Sequence, residues 1–289
     1  KTRRAFLTGF ACAGTGAAAC VLPATAADKR VAPDDAVGML YDTTRCIGCK
    51  ACVVACHEAN DLPPDNRGNQ IHDAPQSLND RTKNIIKLYK DEDRRSYMKQ
   101  QCMHCIDPAC VGACMIGAFQ KREYGIITWD AGRCIGCRYC QIACPYNVPK
   151  FEWDSAAPRI IKCELCNHRL AEGKEPACCE VCPREAVIYG KYTDLLAEAK
   201  QRQADHPGRY MDKIYGETDG GGTQVLYLSH VPFKKLGLPE LGEEAVPSLN
   251  RTIQHGVYKG MIAPAALYVV MGAVMLRNRK KQPAGEDGS

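Results

Sequence analysis

The chain has 289 residues, of which 45% are apolar and 25% charged, and a formal net charge of +5. That length allows one or two domains with their own core. The charge is mild and no basic stripe with interleaved aromatics is present, which excludes a nucleic-acid binder. Nineteen cysteines stand against five Phe and two Trp, so groups held by cysteine are expected to take over part of the stabilisation that aromatic burial gives elsewhere.

Lys1-Thr2-Arg3-Arg4-Ala5-Phe6-Leu7 precedes a small apolar stretch, Gly9 to Leu22, and then Pro23-Ala-Thr-Ala26-Ala27. A charged start, an apolar run and a small-residue cleavage site make a signal peptide over residues 1–27, and the arginine pair gives it the twin-arginine form. An ordinary secretory signal or an amphipathic start is the plainer reading. Cleavage after Ala26 or Ala27 removes Cys12 and Cys20. Residues 28–40 read as a lead-in containing Pro and Asp. Cys46-Ile-Gly-Cys49-Lys-Ala-Cys52-Val-Val-Ala-Cys56 follows, then a long insertion from His57 to Gln101. Within it Asn60 to Asp80 is loop by its Asn, Asp, Pro and Gly content, and Asn84 to Lys90 alternates as a strand does.

The second cysteine set is Cys102-Met-His-Cys105-Ile-Asp-Pro-Ala-Cys110-Val-Gly-Ala-Cys114. Gly117 to Phe119 and Gly125 to Asp130 read as two short strands joined by a turn. The third set is Cys134-Ile-Gly-Cys137-Arg-Tyr-Cys140-Gln-Ile-Ala-Cys144-Pro145. After an insertion, Pro149 to Ile161, come Cys163, Cys166, the adjacent Cys178 and Cys179, and Cys182-Pro183. The Cys-x3-Cys ending of the other three sets selects Cys178 over Cys179. A short strand follows over Pro183 to Gly190, then a helix over Thr193 to Gln203. Residues 204–255 are Gly- and Pro-rich, with one strand over Thr223 to Ser229, and read as an extended arm wrapping a partner or the domain itself. Gly260 to Leu276 carries no charge; seventeen residues at about 1.5 Å each span roughly 25 Å. Lys259 stands before it and Arg277, Arg279, Lys280 and Lys281 at its far end, which the positive-inside rule puts in the cytoplasm. A buried core helix is the plainer alternative.

Cys-x2-Cys-x2-Cys-x3-Cys-Pro is the spacing that wraps a 4Fe–4S cubane. Three thiolates at two-residue intervals let a tight loop fold over one cluster, and Gly136 lets the backbone approach it. The fourth cysteine reaches the neighbouring cluster in paired sites. Sixteen cysteines fall in four sets of four, the first and third with this stepping and the other two with a longer gap before the third cysteine, which points to four 4Fe–4S clusters. Zinc sites use two pairs and a spacer and do not need this stepping, and a disulfide framework does not repeat it. Motif followed by short strand, repeated four times, implies an α+β fold of two tandem bacterial-ferredoxin-like modules with inserted loops, an extended C-terminal arm and one transmembrane helix.

The chain resembles the four-cluster ferredoxin-type electron-transfer subunits of respiratory oxidoreductases. The resemblance lies in Gln101-Cys-Met-His-Cys105 with Pro108-Ala-Cys110, Gly136-Cys-Arg-Tyr-Cys140 with Ala143-Cys-Pro-Tyr-Asn-Val-Pro149, and Lys162-Cys-Glu-Leu-Cys166. The signal, Gly220 to Leu228 and the single C-terminal helix narrow it to the HybA-type iron–sulfur subunits of periplasm-facing nickel–iron hydrogenase-2. The iron–sulfur subunit of a formate dehydrogenase-like molybdenum or tungsten oxidoreductase is the alternative, and a zinc-stapled structural anchor a remote one. The resemblance implies swapped ligands: Cys46, Cys49, Cys52 and Cys182 for one cluster; Cys163, Cys166, Cys178 and Cys56 for a second; Cys102, Cys105, Cys110 and Cys144 for a third; Cys134, Cys137, Cys140 and Cys114 for the fourth. It also implies electron relay between the hydrogenase small subunit, and through it the large subunit, and an integral-membrane quinone-reactive subunit. His57 and Met115 stand where the family pattern has proline, a structural position and not a ligand.

The expected organisation is a signal over 1–27, a four-cluster domain over 28–200, an arm or linker over 201–256, a transmembrane helix over 257–277 and a cytoplasmic tail over 278–289. The chain is then held at the periplasmic face of the membrane. His57 and His104 are expected beside ligands without being ligands. Arg45, Lys50, Arg133, Arg138 and Lys162 flank cluster cysteines and can raise cluster potentials. No nickel-binding motif, nucleophile–base pair, P-loop or dinucleotide fingerprint occurs, so the chain is expected to carry electrons and not to catalyse.

Overall fold

The computed structural model describes residues 30–63, 77–92, 94–156 and 158–279. The signal expected over 1–27 and the tail residues 280–289 lie outside the described residues. Residues 29–247 form one compact unit; the C-terminal helix belongs to another.

Strand β1 (Val37–Asp42) is the centre of a three-stranded sheet, flanked by β8 (Val187–Lys191) antiparallel and β9 (Val225–Leu228) parallel. Met39 pairs with Tyr189 on one side and with Val225 on the other. Both β1 and β9 are buried along their whole length. Met39, Tyr41, Val225 and Tyr227 face the cysteine-rich interior. Leu40, Leu226 and Leu228 face the other way, onto Leu195 and Ala199 of helix α6 (Tyr192–Asp205). That helix buries Leu195, Ala199 and Arg202, the four- and three-residue steps of one helical stripe. A strand covered on both faces reads as a continuous apolar run, so the lead-in expected over 28–40 conceals the central strand.

The rest of the unit is built from hairpins. β2 (Asn84–Lys90) pairs antiparallel with β3 (Arg95–Gln101), Asn84 opposite Gln101. β4 (Phe119–Lys121) pairs with β5 (Ile127–Trp129), and β6 (Lys150–Phe151) with β7 (Ile160–Ile161). The strands expected at 84–90, 117–130 and 183–190 and the helix at 193–203 are present, while β1, β3, β6 and β7 are additions. Five short helices lie among the cysteine sets: α1 (Ala51–Ala59), α2 (Ala109–Gly112), α3 (Tyr139–Ala143), α4 (Asn167–Leu170) and α5 (Ala177–Glu180). α1 packs on α5, and α2 on α3.

Of the segment expected over 201–256 as an arm wrapping a partner or the domain itself, residues 201–247 lie within the compact unit. Ile214, Tyr215, the whole of β9, Val231, Phe233, Leu236 and Leu238 are buried. Tyr227 donates a hydrogen bond through its hydroxyl to the Lys99 carbonyl at 2.8 Å, and Tyr41 to the Tyr97 carbonyl at 2.9 Å. The sheet is thereby fastened to β3, and the segment is core because its apolar residues complete a face that β1 alone leaves open. In the second unit, α7 runs from Ser248 to Arg279 with Pro264 inside, longer than the expected 257–277. Gly260–Asn278 is long and apolar enough to cross a membrane, with a mean hydropathy of 1.6.

Candidate functional site

The four cysteine loops share one backbone device. The residue before the second cysteine takes a left-handed conformation in each: Gly48 at φ 71°, His104 at 47°, Gly136 at 70° and Leu165 at 53°. This turn aims an amide back at the first cysteine. The N–H groups of Gly48, Gly136 and Leu165 donate to the sulfurs of Cys46, Cys134 and Cys163, each at 3.4 Å. A second left-handed residue, Lys50, Arg138 or Cys166, then starts α1, α3 or α4. Three residues past the last cysteine of a set the device recurs, at Gly117, Asn147 and Glu185. Ala118 and Ala186 N–H groups donate to Cys114 at 3.2 Å and Cys182 at 3.3 Å.

These loops bring thiols together across the sequence. Cys46, Cys49, Cys52 and Cys182 line one cavity, with Tyr41 and Ile86 in its wall. Cys163 lies among Cys56, Cys166 and Cys178. Cys105 lies among Cys102, Cys110 and Cys144, and Cys140 among Cys134, Cys137 and Cys114. The groupings follow the helix packing, since α1 with α5 joins the first set to the last and α2 with α3 joins the middle two. Between groups, Cys178 lies near Cys52, Cys140 near Cys110, and Tyr227 near both Cys163 and Cys102. Cys49 and Cys137 are exposed.

Burial disfavours an ionised sulfur. It pushes Cys52 and Cys56 up to about 12 and Cys140 and Cys144 up to about 11. A coordinated thiol is deprotonated outright, so an ionised sulfur in these pockets would need a cationic group beside it to offset burial. Cys178 goes the other way, down to about 6, because the neighbouring Cys179 thiol hydrogen-bonds to it and the Lys99 ammonium stands beside it, against the cost of burial. The cavity lined by four cysteines and the amides turned toward their sulfurs fit a polynuclear group.

His104 is fully buried, and its Nδ1 accepts a hydrogen bond from the Ile127 N–H at 3.2 Å. Burial, with Lys162 nearby, pulls it well below the usual histidine range, and as a neutral ring it supports the loop. Arg45 pairs with Asp42 at 3.9 Å and Arg133 with Asp130 at 3.4 Å. Arg138 stacks over Trp153 at 4.5 Å. Lys162 is buried and donates to the carbonyls of Ile127 and Cys163. Sequence reasoning missed Lys99, a buried cation among the thiols. The only signal was its place in Lys99-Gln-Gln101, directly before the second cysteine set.

Residues 94–192 match a 4Fe–4S dicluster domain, and residues 37–58 a 4Fe–4S binding domain. The chain is 39% identical to the Hydrogenase-2 operon protein HybA of Escherichia coli, over 96% of each chain. It is 36% identical to the formate dehydrogenase-O iron–sulfur subunit of Escherichia coli, over 80% of this chain and 77% of that one. It is 34% identical to a formate dehydrogenase iron–sulfur subunit of Haemophilus influenzae, over 83% and 78%.

Proposed function

The chain belongs to the family of the Hydrogenase-2 operon protein HybA, and from that premise we propose that it relays electrons between a periplasmic nickel–iron hydrogenase and an integral-membrane quinone-reactive subunit. It is an iron–sulfur electron-transfer protein and not itself the catalyst. Four sets of residues would each hold a 4Fe–4S cluster: Cys46, Cys49, Cys52 with Cys182; Cys163, Cys166, Cys178 with Cys56; Cys102, Cys105, Cys110 with Cys144; and Cys134, Cys137, Cys140 with Cys114. Such clusters supply one-electron redox centres when bound. The chain's own work is to fix their order, shield them and aim amides at the sulfurs.

The observation that carries this reading is the gathering of thiols across the sequence into those same four groups. The nested helix packing, first set with last and second with third, supports two bacterial-ferredoxin-like modules. The nearness of Cys178 to Cys52 and of Cys140 to Cys110 supports a linear order, with exposed Cys49 and Cys137 belonging to its two end groups. Those ends would meet the hydrogenase small subunit and the membrane subunit. The apolar run in α7 supports anchoring, and the basic residues after it support a periplasmic domain with a cytoplasmic tail, delivered by the twin-arginine signal in residues 1–27.

Anaerobic isolation from membranes, with identification of the chains that come with it, tests the assignment. Hydrogenase subunits are expected. A molybdenum or tungsten oxidoreductase in their place would move the chain to the formate dehydrogenase reading, whose relatives match over a smaller share of this chain.

A further inference from the structure

We propose that the Lys99 ammonium is the shared counter-charge of two of the four centres, those of Cys46, Cys49, Cys52 and Cys182 and of Cys163, Cys166, Cys178 and Cys56, and that it holds their reduction potentials up. The inference rests on the four-cluster reading above.

Lys99 is fully buried near the end of β3. Lysines on a structural surface extend the ammonium to water, and this one cannot. Its Nζ donates to the side-chain oxygen of Gln101 and to the sulfur of Cys178, the latter at 3.6 Å. Its charge also acts on Cys52 of the first group and on Cys56 and Cys163 of the second. Among the described residues no carboxylate lies within ion-pair distance of it. A buried ammonium without a counter-charge is strongly disfavoured, and Gln101 is neutral. The thiolates of the two groups are what remains to balance it.

The surroundings hold the ammonium in place. The Gln101 amide nitrogen donates to Met39 Sδ at 3.1 Å, which turns its oxygen toward Nζ. The Lys99 carbonyl is held by Tyr227. Lys162, as buried, differs in its bonds: it gives its ammonium to two backbone carbonyls and staples β5 to the fourth cysteine loop, and its charge reaches Cys110 of the third group without a bond to sulfur. Lys99 faces sulfur.

Reduction of either centre adds one electron from its redox partner, and so one negative charge, with no bond formed or broken. A fixed positive charge beside the centre favours that state, and its loss disfavours it. With one thiol of the first group and three of the second in its field, Lys99 acts more strongly on the second.

The test compares the anaerobic full-length protein as wild type, Lys99→Met and Lys99→Arg, by iron and sulfide content and by potentiometric titration followed by electron paramagnetic resonance. Wild-type iron far below about sixteen per chain is a failure of the cluster reading, visible before any variant is compared. With iron intact, Lys99→Met is expected to lower the reduced-to-oxidised ratio of two centres at least tenfold at fixed potential, which is 59 mV per decade for a one-electron couple. The other two midpoints hold, and Lys99→Arg stays near wild type. Four unmoved midpoints, equal movement of all four, or Lys99→Arg shifted as far as Lys99→Met overturns the inference. Should Lys99→Met lose iron, Lys99→Gln replaces it in the titration. Should that variant lose iron too, retention in Lys99→Arg supports the charge requirement and equal loss in all three variants overturns it.

Discussion

Gly38 lies so close to Gln224 that a β-carbon at position 38 would stand 1.9 Å from the Gln224 carbonyl oxygen. That oxygen accepts the Met39 N–H at 3.1 Å, and the Gln224 N–H donates to the His104 carbonyl at 3.1 Å. Its side-chain amide donates to the carbonyls of Val37 and Tyr124. One residue therefore joins β1, the second cysteine loop and the turn between β4 and β5. The obstacle at position 38 is backbone within a strand pairing and cannot swing aside. Gly38→Ala is expected to destabilise the protein by about 3 kcal/mol or more, the upper end of overpacking costs. A denaturation midpoint equal to wild type would show that β1 and β9 can part at no cost.

Burial was the part of the fold hardest to read from sequence. β2 was visible because the residues of Asn84 to Lys90 alternate enough to mark a strand, and in the structure its second half alternates in burial too. β1 was not, because Val37-Gly-Met-Leu-Tyr-Asp42 is covered on both faces and has no period to detect. β3 was hidden by its polar letters: Lys99 and Gln101 look like surface residues and are interior ones. In the cysteine loops the left-handed turn was legible at Gly48 and Gly136, where glycine announces it. His104 and Leu165 adopt the same turn with nothing local to signal it. The loop as a whole imposes it there. Spacing singles out sixteen cysteines, but the thiols each set gathers with in the structure lie up to a hundred residues away or more, and the packing of α1 on α5 and of α2 on α3 brings them together.

Asp42, fully buried at the end of β1, accepts hydrogen bonds from the Thr44 N–H at 2.9 Å, the Thr44 hydroxyl at 2.6 Å and the Tyr210 hydroxyl at 2.8 Å. Arg202 of α6 approaches at 3.4 Å. Removing the carboxylate leaves a buried guanidinium whose one other ion-pair partner among the described residues is Glu198. Asp42→Ala is expected to cost about 3–5 kcal/mol and to expose α6 to limited proteolysis. Asp42→Asn, which keeps one acceptor oxygen, is expected to cost less. Equal stability of both variants and the wild type in denaturant would remove Asp42 from the forces that hold α6 to the sheet.

The C-terminal helix makes a separate claim. The nineteen residues Gly260–Asn278 rise about 28 Å, close to the roughly 30 Å of a bilayer core, and Leu267 to Met271 are exposed along it. Ending the chain at Pro247 removes α7 and keeps the compact unit of residues 29–247. Expressed without partner subunits, the full chain is expected to stay with carbonate-washed membranes and the shortened chain to leave them. Extraction of the full chain by carbonate would contradict a spanning helix.

Cys178 and Cys179 are both buried in α5, at 4% and 8% exposure, so burial does not choose a ligand between them. Their neighbours do. Cys178 has Cys56, Cys163 and Cys52 around it and the Lys99 ammonium at 3.6 Å. The Cys179 thiol hydrogen-bonds to the Cys178 sulfur, which lowers Cys178 and raises Cys179. One residue further along a helix turns a side chain by about 100°, so only one of the pair can face the Cys163 group. Cys178→Ser is expected to remove about four iron atoms per chain, one cubane, or to leave a 3Fe–4S signal in electron paramagnetic resonance. Cys179→Ser is expected to keep all its iron, because that thiol acts as a donor and a small buried hydrophobe. Loss of iron in the Cys179→Ser protein together with its retention in Cys178→Ser would invert the assignment and mean that the fourth loop reaches its cluster from the opposite side of α5.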